Sequence, residues 1–302
     1  MQHKVKVTIG VCVKNNEATV KETIDSIIDQ DFSHELMELI IVDGNSEDKT
    51  TSVLKKALLN TDIATKILFE NKGLGVARQM VVGNATGDYI IWVDGDMVLS
   101  KDHVMKQVEF MELHHSVGIA GGKFQMYPGE NLFAMLESVD WVVTDYMHGS
   151  KASLKPVLHR AGGCIYRVKA IQQVGGLDCR IKGAFEDLDL EHRIGKMGWL
   201  TYFITDAVFY DQRKETLKAI WDENFWYGYG GHYFLHNHRE RISVSSLLDG
   251  LRRTSIAYRL VHRKAVFLLL IQQIFKKIAW CFGFIKAHFD GYGHVIAPAY
   301  SS

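Results

Sequence analysis

Proline is scarce. Only Pro128, Pro156 and Pro298 occur in 302 residues, so no Pro-rich linker divides the chain. Cysteine is equally sparse. Cys12, Cys164, Cys179 and Cys281 show no Cys-x-x-Cys spacing, which argues against a structural zinc site and reads as reduced thiols of a cytoplasmic protein. Charge of one sign is missing too: basic and acidic residues each number 35, leaving a net charge of zero. A nucleic-acid binder normally shows a basic excess, so no nucleic-acid partner is expected. Repeats and low-complexity tracts are absent. A strand-like run begins at Val5, so no signal peptide is expected. What remains, 47% hydrophobic and 23% charged, is a chain able to fold and bury a full core.

The first hundred or so residues alternate between two periods. Val5 to Val13, Leu39 to Val42, Ile67 to Phe69 and Tyr89 to Val93 are apolar, β-rich runs. Between them Val20, Ile24, Ile27 and Ile28 recur at helical spacing, Thr50 to Leu59 reads as helix, and Gly73-Leu74-Gly75 opens another helix through Val82. This pattern predicts a largely parallel sheet covered by helices on both faces. Ligands of such sheets bind beyond the carboxyl ends of the strands. Asp43 and the run Asp94-Gly95-Asp96 fall at those ends. Two carboxylates separated by a glycine offer hard oxygen ligands suited to Mg2+ or Mn2+. An Asp-Gly turn at a strand end accounts for the same residues without any ligand. A third acidic element, Glu186-Asp187-Leu188-Asp189, precedes a helical stripe of Leu190, Ile194 and Met197 that stops at Gly198. Acids at a helix N-terminus also suit the helix dipole.

Taken in order, these segments resemble family 2 glycosyltransferases of the GT-A fold. The resemblance runs from about Val5 to Tyr229. It rests on Val7 to Val11 with Lys14-Asn15-Asn16, Ile41 to Thr50, Gly73 to Gln79, Ala85-Thr86-Gly87-Asp88 leading into Asp94-Gly95-Asp96, Gly175-Gly176-Leu177-Asp178, and Glu186 to Arg193. It implies an α/β catalytic domain over 1–215, with a nucleotide-binding half at about 1–100 and an acceptor half at about 101–215, and a helical extension over 216–302. It implies an inverting enzyme that moves a sugar from a UDP- or GDP-linked donor to a saccharide or lipid-linked saccharide. Asp43, Arg78, Asp94, Val11 and Asn15 would lie along the nucleotide-sugar. Asp96, Asp94 and Asp211 would hold Mg2+ or Mn2+. Asp187 would be the catalytic base, with Glu186 orienting the acceptor. Asp43 also fits the start of an Asx-turn, and Arg78 a solvated helix face. The family's common His after the next strand is absent; Tyr210-Asp211 stands there, and Gln79 replaces a commoner Asn. A sugar-nucleotide pyrophosphorylase is the competing enzyme class, and an inactive nucleotide-sugar-binding scaffold the competing non-enzyme.

The last third changes character. Aromatics crowd Trp221 to Tyr233, and they suit either stacking on a sugar or packing. His232, His236 and His238 have metal-like spacing but read better as a polar helix face. Arg252, Arg253, Arg259, Arg263 and Lys264 precede an apolar run from Ala265 to Phe275, and Lys276-Lys277 interrupt it. The run is too short to span a bilayer. Two readings stay open: a peripheral helix on the inner membrane face, or a helix packed on the catalytic domain or on a second copy of the chain.

Overall fold

The strand β1 (Val7–Val13) is buried along almost its whole length because it has a parallel strand on each side. The chain first climbs β1, α1 (Val20–Ile28), β2 (Met37–Asp43), α2 (Thr50–Ala57), β3 (Ala64–Phe69), α3 (Leu74–Asn84) and β4 (Tyr89–Asp94). Val11 of β1 sits level with Ile41 of β2 and Val93 of β4, so these apolar runs form one continuous layer. The edge strand is β3, none of whose residues is fully buried. The computed structural model describes residues 5–126, 131–149, 151–154, 160–203, 205–212, 215–238 and 247–293.

After β4 come β5 (Met97–Leu99), α4 (His103–Leu113), β6 (Val117–Gly121), β7 (Lys123–Met126), α5 (Leu132–His148), β8 (Ala152–Ser153), β9 (Cys164–Arg167), α6 (Val168–Gln173), α7 (Glu186–Lys196), β10 (Leu200–Tyr202) and β11 (Val208–Asp211). Eight strands order as β3-β2-β1-β4-β9-β6-β10-β8, and β5-β11-β7 form a second, smaller sheet. The large sheet is mostly parallel, as expected. Its exceptions are β9, antiparallel to both neighbours, and β8 at the edge. Four residues of β9 carry too little periodicity to be read from sequence.

The chain divides into two compact units. The first comprises Met1–Gln125, Met147–Cys179 and Glu186–Gln212; the second comprises Met126–Tyr146, Arg180–Phe185 and Arg213–Ser302. In the first, Gly10 on β1 leaves room for Trp92 and Val81: a Cβ there would lie 2.8 Å from each. Trp92 packs edge-on against Tyr166, with ring centroids 6.4 Å apart.

The second unit is helical: α5, α8 (Leu217–His238), α9 (Leu247–Val261) and α10 (Leu269–Phe289). The α8 and α10 backbones touch. A side chain on Gly228 would overlap the Trp280 carbonyl, and one on Gly283 the Phe225 carbonyl. Trp221 packs on Phe275 and Phe282, and Tyr229 stacks on Tyr292, so much of the aromatic cluster is packing. His232 is buried, donates from Nδ1 to the Tyr292 carbonyl at 2.6 Å, and stacks on His236. The apolar C-terminal run is longer than the sequence suggested. A short 3-10 turn and α10 carry it from Lys264 to Phe289, 26 residues, enough by length and composition to cross a membrane. Lys276-Lys277 do not break the helix.

Candidate functional site

Three elements of the first unit deliver charge to one place. From α3, Arg78 projects into the fold and is only 5% exposed. The solvated-face reading of this residue therefore fails. Its guanidinium lies over the Trp92 ring, 5.7 Å from the centroid, so Gly10 supports it at one remove. Arg78 Nη2 reaches Asp94 Oδ1 at the end of β4, at 3.3 Å, and Nη1 pairs closely with Glu186 Oε1 at the start of α7. Asp187 Oδ2 lies 3.9 Å from the same Nη1. One cation thus faces three carboxylates.

Burial together with that imbalance sets the proton affinities. Burial pushes the Glu186 carboxyl up to about 7, opposed by Arg78 and aided by Asp187. Burial alone would lower the proton affinity of Arg78, but Glu186, Asp94 and Asp187 raise it, so the guanidinium stays charged. Burial also pushes the neighbouring Cys12 thiol up to about 12, which makes it an unreactive packing group. Phe185, the residue before α7, has φ of 81°. A bulky residue in the left-handed region is strained, and strain of this kind gathers at functional positions.

Asp187 is the more open of the adjacent acids, its side chain 19% exposed against 4% for Glu186. Its Oδ1 accepts from the Leu188 backbone N–H at 2.8 Å, leaving Oδ2 directed toward Arg78. Asp189 is different. It is buried and held by both Nε and Nη2 of Arg193 at 2.7 Å, a structural clamp within α7. Leu190 and Ile194 are buried behind it, while Met197 of the expected stripe is exposed.

Asp94 and Asp96 flank the turn from β4 to β5. Pairing of β5 with β11 sets Asp211 opposite Met97, and the Gln212 N–H donates to the Asp96 carbonyl at 3.0 Å. The chain segments of all three metal candidates therefore meet at one strand end. A Cβ on Gly162 would come within 2.5 Å of Asp94 Oδ2, so this glycine keeps the space beside that oxygen open. No sequence signal pointed to Gly162, which lies 68 residues downstream of Asp94. Among the described residues no three His, Cys, Asp or Glu side chains are gathered closely enough to hold a metal by themselves. The donor set, carboxylate oxygens only, fits a hard cation that takes one or two protein ligands and completes its shell with phosphate and water.

Asp43 is fully buried. It accepts from the Ser46 N–H at 2.7 Å and from Thr51 Oγ1 at 2.6 Å. It is thus an Asx-type organiser of the loop after β2, and each oxygen retains a second acceptor direction. Asn15, at φ 54°, accepts from the Glu47 N–H at 2.9 Å and joins the loops after β1 and β2. Val11 is enclosed within β1. Gln79 accepts from the Leu177 N–H at 2.8 Å and so holds the Gly175-Gly176 turn.

The sequence model described as Glycosyl transferase family 2 matches residues 8–175. EpsE of Bacillus subtilis (strain 168) is 28% identical over 209 residues, covering 68% of this chain and 72% of that protein. The poly-beta-1,6-N-acetyl-D-glucosamine synthase of Staphylococcus aureus (strain COL) is 20% identical over 231 residues, but this chain spans only 55% of its length. Among solved structures, the mannosyltransferase PcManGT from Pyrobaculum calidifontis, in complex with GDP-Man and Mn2+, aligns with a TM-score of 0.66 at 16% identity, over 96% of this chain and 88% of that one. TarS 1–349 of S. aureus, in complex with UDP-GlcNAc, gives 0.54 at 15% identity, over 95% and 89%. These structural matches carry the GT-A fold.

Proposed function

The chain belongs to glycosyl transferase family 2, and from that premise we propose an inverting, metal-assisted transfer of a sugar from a UDP- or GDP-linked donor to an acceptor hydroxyl. The observation that carries the proposal is the excess of carboxylate around Arg78 at the strand ends. Asp187, the more open acid, takes the acceptor proton as the hydroxyl oxygen attacks the anomeric carbon. The bond to the diphosphate breaks on the opposite side, and its electron pair leaves with the nucleotide. Buried Glu186 orients the acceptor, and its raised proton affinity lets it donate to a hydroxyl near neutral pH. Arg78 holds both acids in register and offers its remaining donors to the diphosphate.

Asp43 receives the base at the end of β2, Asn15 shapes the adjoining loop, and Val11 supports that strand from within. Asp94, Asp96 and Asp211 are the residues suited to Mg2+ or Mn2+; bound there, the ion supplies neutralisation of the departing diphosphate charge. The acceptor is a saccharide, most simply a lipid-linked one presented at the inner face of the membrane to a cytoplasmic enzyme.

The test is transfer with UDP- and GDP-linked sugars and Mn2+. Asp187→Asn keeps shape and loses the base, so turnover should fall by about a hundredfold or more while donor affinity by calorimetry stays near wild type. Chelation should abolish both transfer and tight donor binding. Retained anomeric configuration in the product, read by NMR, would overturn single displacement. Donor binding without turnover in the wild type would leave the scaffold reading.

A further inference from the structure

One face of α10 is apolar and uncovered. Ile271, Ile274, Ile278, Phe282, Ile285 and Phe289 are all exposed, from 46% at Ile278 to 82% at Phe289. Their spacing of three and four residues places them within an arc of about 80° on a helix of about 100° per residue. The other face is locked down. Gln272 and Lys276 bond Glu137 of α5 at 2.7 and 2.9 Å, and Gly283 rests against the backbone of α8. Lys286, beside the apolar arc, is already paired with Asp290 at 2.5 and 2.6 Å. Exposed Arg259, Arg263 and Lys264 lie just before the arc.

We infer that α10 is an in-plane anchor that seats this stripe in the headgroup boundary of an anionic bilayer, and that it does not cross the membrane despite its length. An interfacial helix needs an apolar face, cationic charge beside it and a polar side turned elsewhere, and α10 with the basic residues that lead into it has all three. A spanning helix would surround Lys276, Gln272 and their carboxylate partner with lipid, or strip them from α5. The exposed Arg259, Arg263 and Lys264 that lead into the stripe suit acidic headgroups. Two residues grouped with the basic cluster by sequence take no part: Arg253 bonds Asp140 and Thr144, and Lys276 pairs with Glu137. The inference deepens the membrane-side reading of the acceptor and rests on it for the identity of the surface.

The test uses the full chain and flotation with vesicles of phosphatidylcholine, with and without phosphatidylserine. The wild type is expected to float with the anionic vesicles at low salt, to float less at high salt, and to be released by alkaline carbonate. Ile278→Gln with Phe282→Gln should weaken binding by about a hundredfold, roughly tenfold per side chain. Arg259→Gln with Arg263→Gln should remove most of the preference for phosphatidylserine. Circular dichroism and donor binding should be unchanged in both variants. Three results would overturn the inference: a full chain that never floats, binding that resists carbonate, or a stripe variant that turns a dimer into a monomer by light scattering with flotation unaltered. Retained flotation in a chain that binds no nucleotide-sugar would instead sink the enzymatic reading and leave the anchor standing.

Discussion

Among the described residues each unit contains a partly buried ionic network, and the two are built differently. In the helical unit two cations, Arg253 and Lys276, meet two carboxylates, Asp140 and Glu137, and Gln272 and Thr144 complete the hydrogen bonds. In the sheet unit one cation, Arg78, meets Asp94, Glu186 and Asp187. The first network is balanced and joins α5, α9 and α10. The second carries excess negative charge at the ends of strands, where burial already works against ionised Glu186. A balanced network has no call for a further ion. An unbalanced one is prepared to take up a cation, a proton or a hydrogen-bonding hydroxyl, which is the chemistry proposed for it.

The difference can be tested by removing one partner at a time. Arg78→Met should have the largest effect, about 3–5 kcal/mol of lost stability in urea unfolding, because Glu186 is left buried without a cation. The sign with pH is defined. Glu186 has a folded pKa already above its unfolded value, and loss of Arg78 raises it further. Stability is therefore retained below the unfolded pKa and lost as pH rises through the folded one. The defect should be mild near pH 4 and should grow as pH rises past neutrality. Arg78→Met with Glu186→Met should restore most of the loss without restoring transfer. A single Arg78→Met chain as stable as wild type at pH 8 would show that the pair is not stabilising.

Lys276→Met should cost less, about 2–3 kcal/mol, since Gln272 still bonds Glu137. Adding Glu137→Gln should recover much of it. Nucleotide-sugar affinity should not move in either variant; a change in affinity would mean that the helical network is not purely structural. The smallest effect belongs to Glu186→Gln. Wild-type stability should decline as pH rises toward and through about 7, and the amide should flatten that decline. An unflattened profile would assign the titration to another group.

Local pattern accounts for what was legible in the chain. The runs Leu39 to Val42 and Tyr89 to Val93 are strands because buried parallel strands are continuously apolar, and their ends marked Asp43 and Asp94 directly. Asp94, Arg78, Glu186 and Asp187 each stand out in the sequence, the first two along the nucleotide-sugar and the last two on the acceptor. Their union was not legible, because Arg78 and Glu186 are 108 residues apart and only the sheet brings them together. The same holds for Gln79, which looked like a variation in a binding motif and instead holds a glycine turn 98 residues away.

The C-terminal third shows the limit from the other side. Its apolar and basic composition was plain, yet Arg253 and Lys276 looked like membrane-facing charge and are turned inward. The amino-acid order by itself determined the alternation of strand and helix, the strand-end carboxylates and the family, since these follow from periodicity and residue type along a few turns of chain. Which charges are buried together, which side of α10 is left bare, and how β9 enters the sheet antiparallel were decided by tertiary structure. Those depend on pairings between distant segments, where burial fixes which of several compatible partners each group meets.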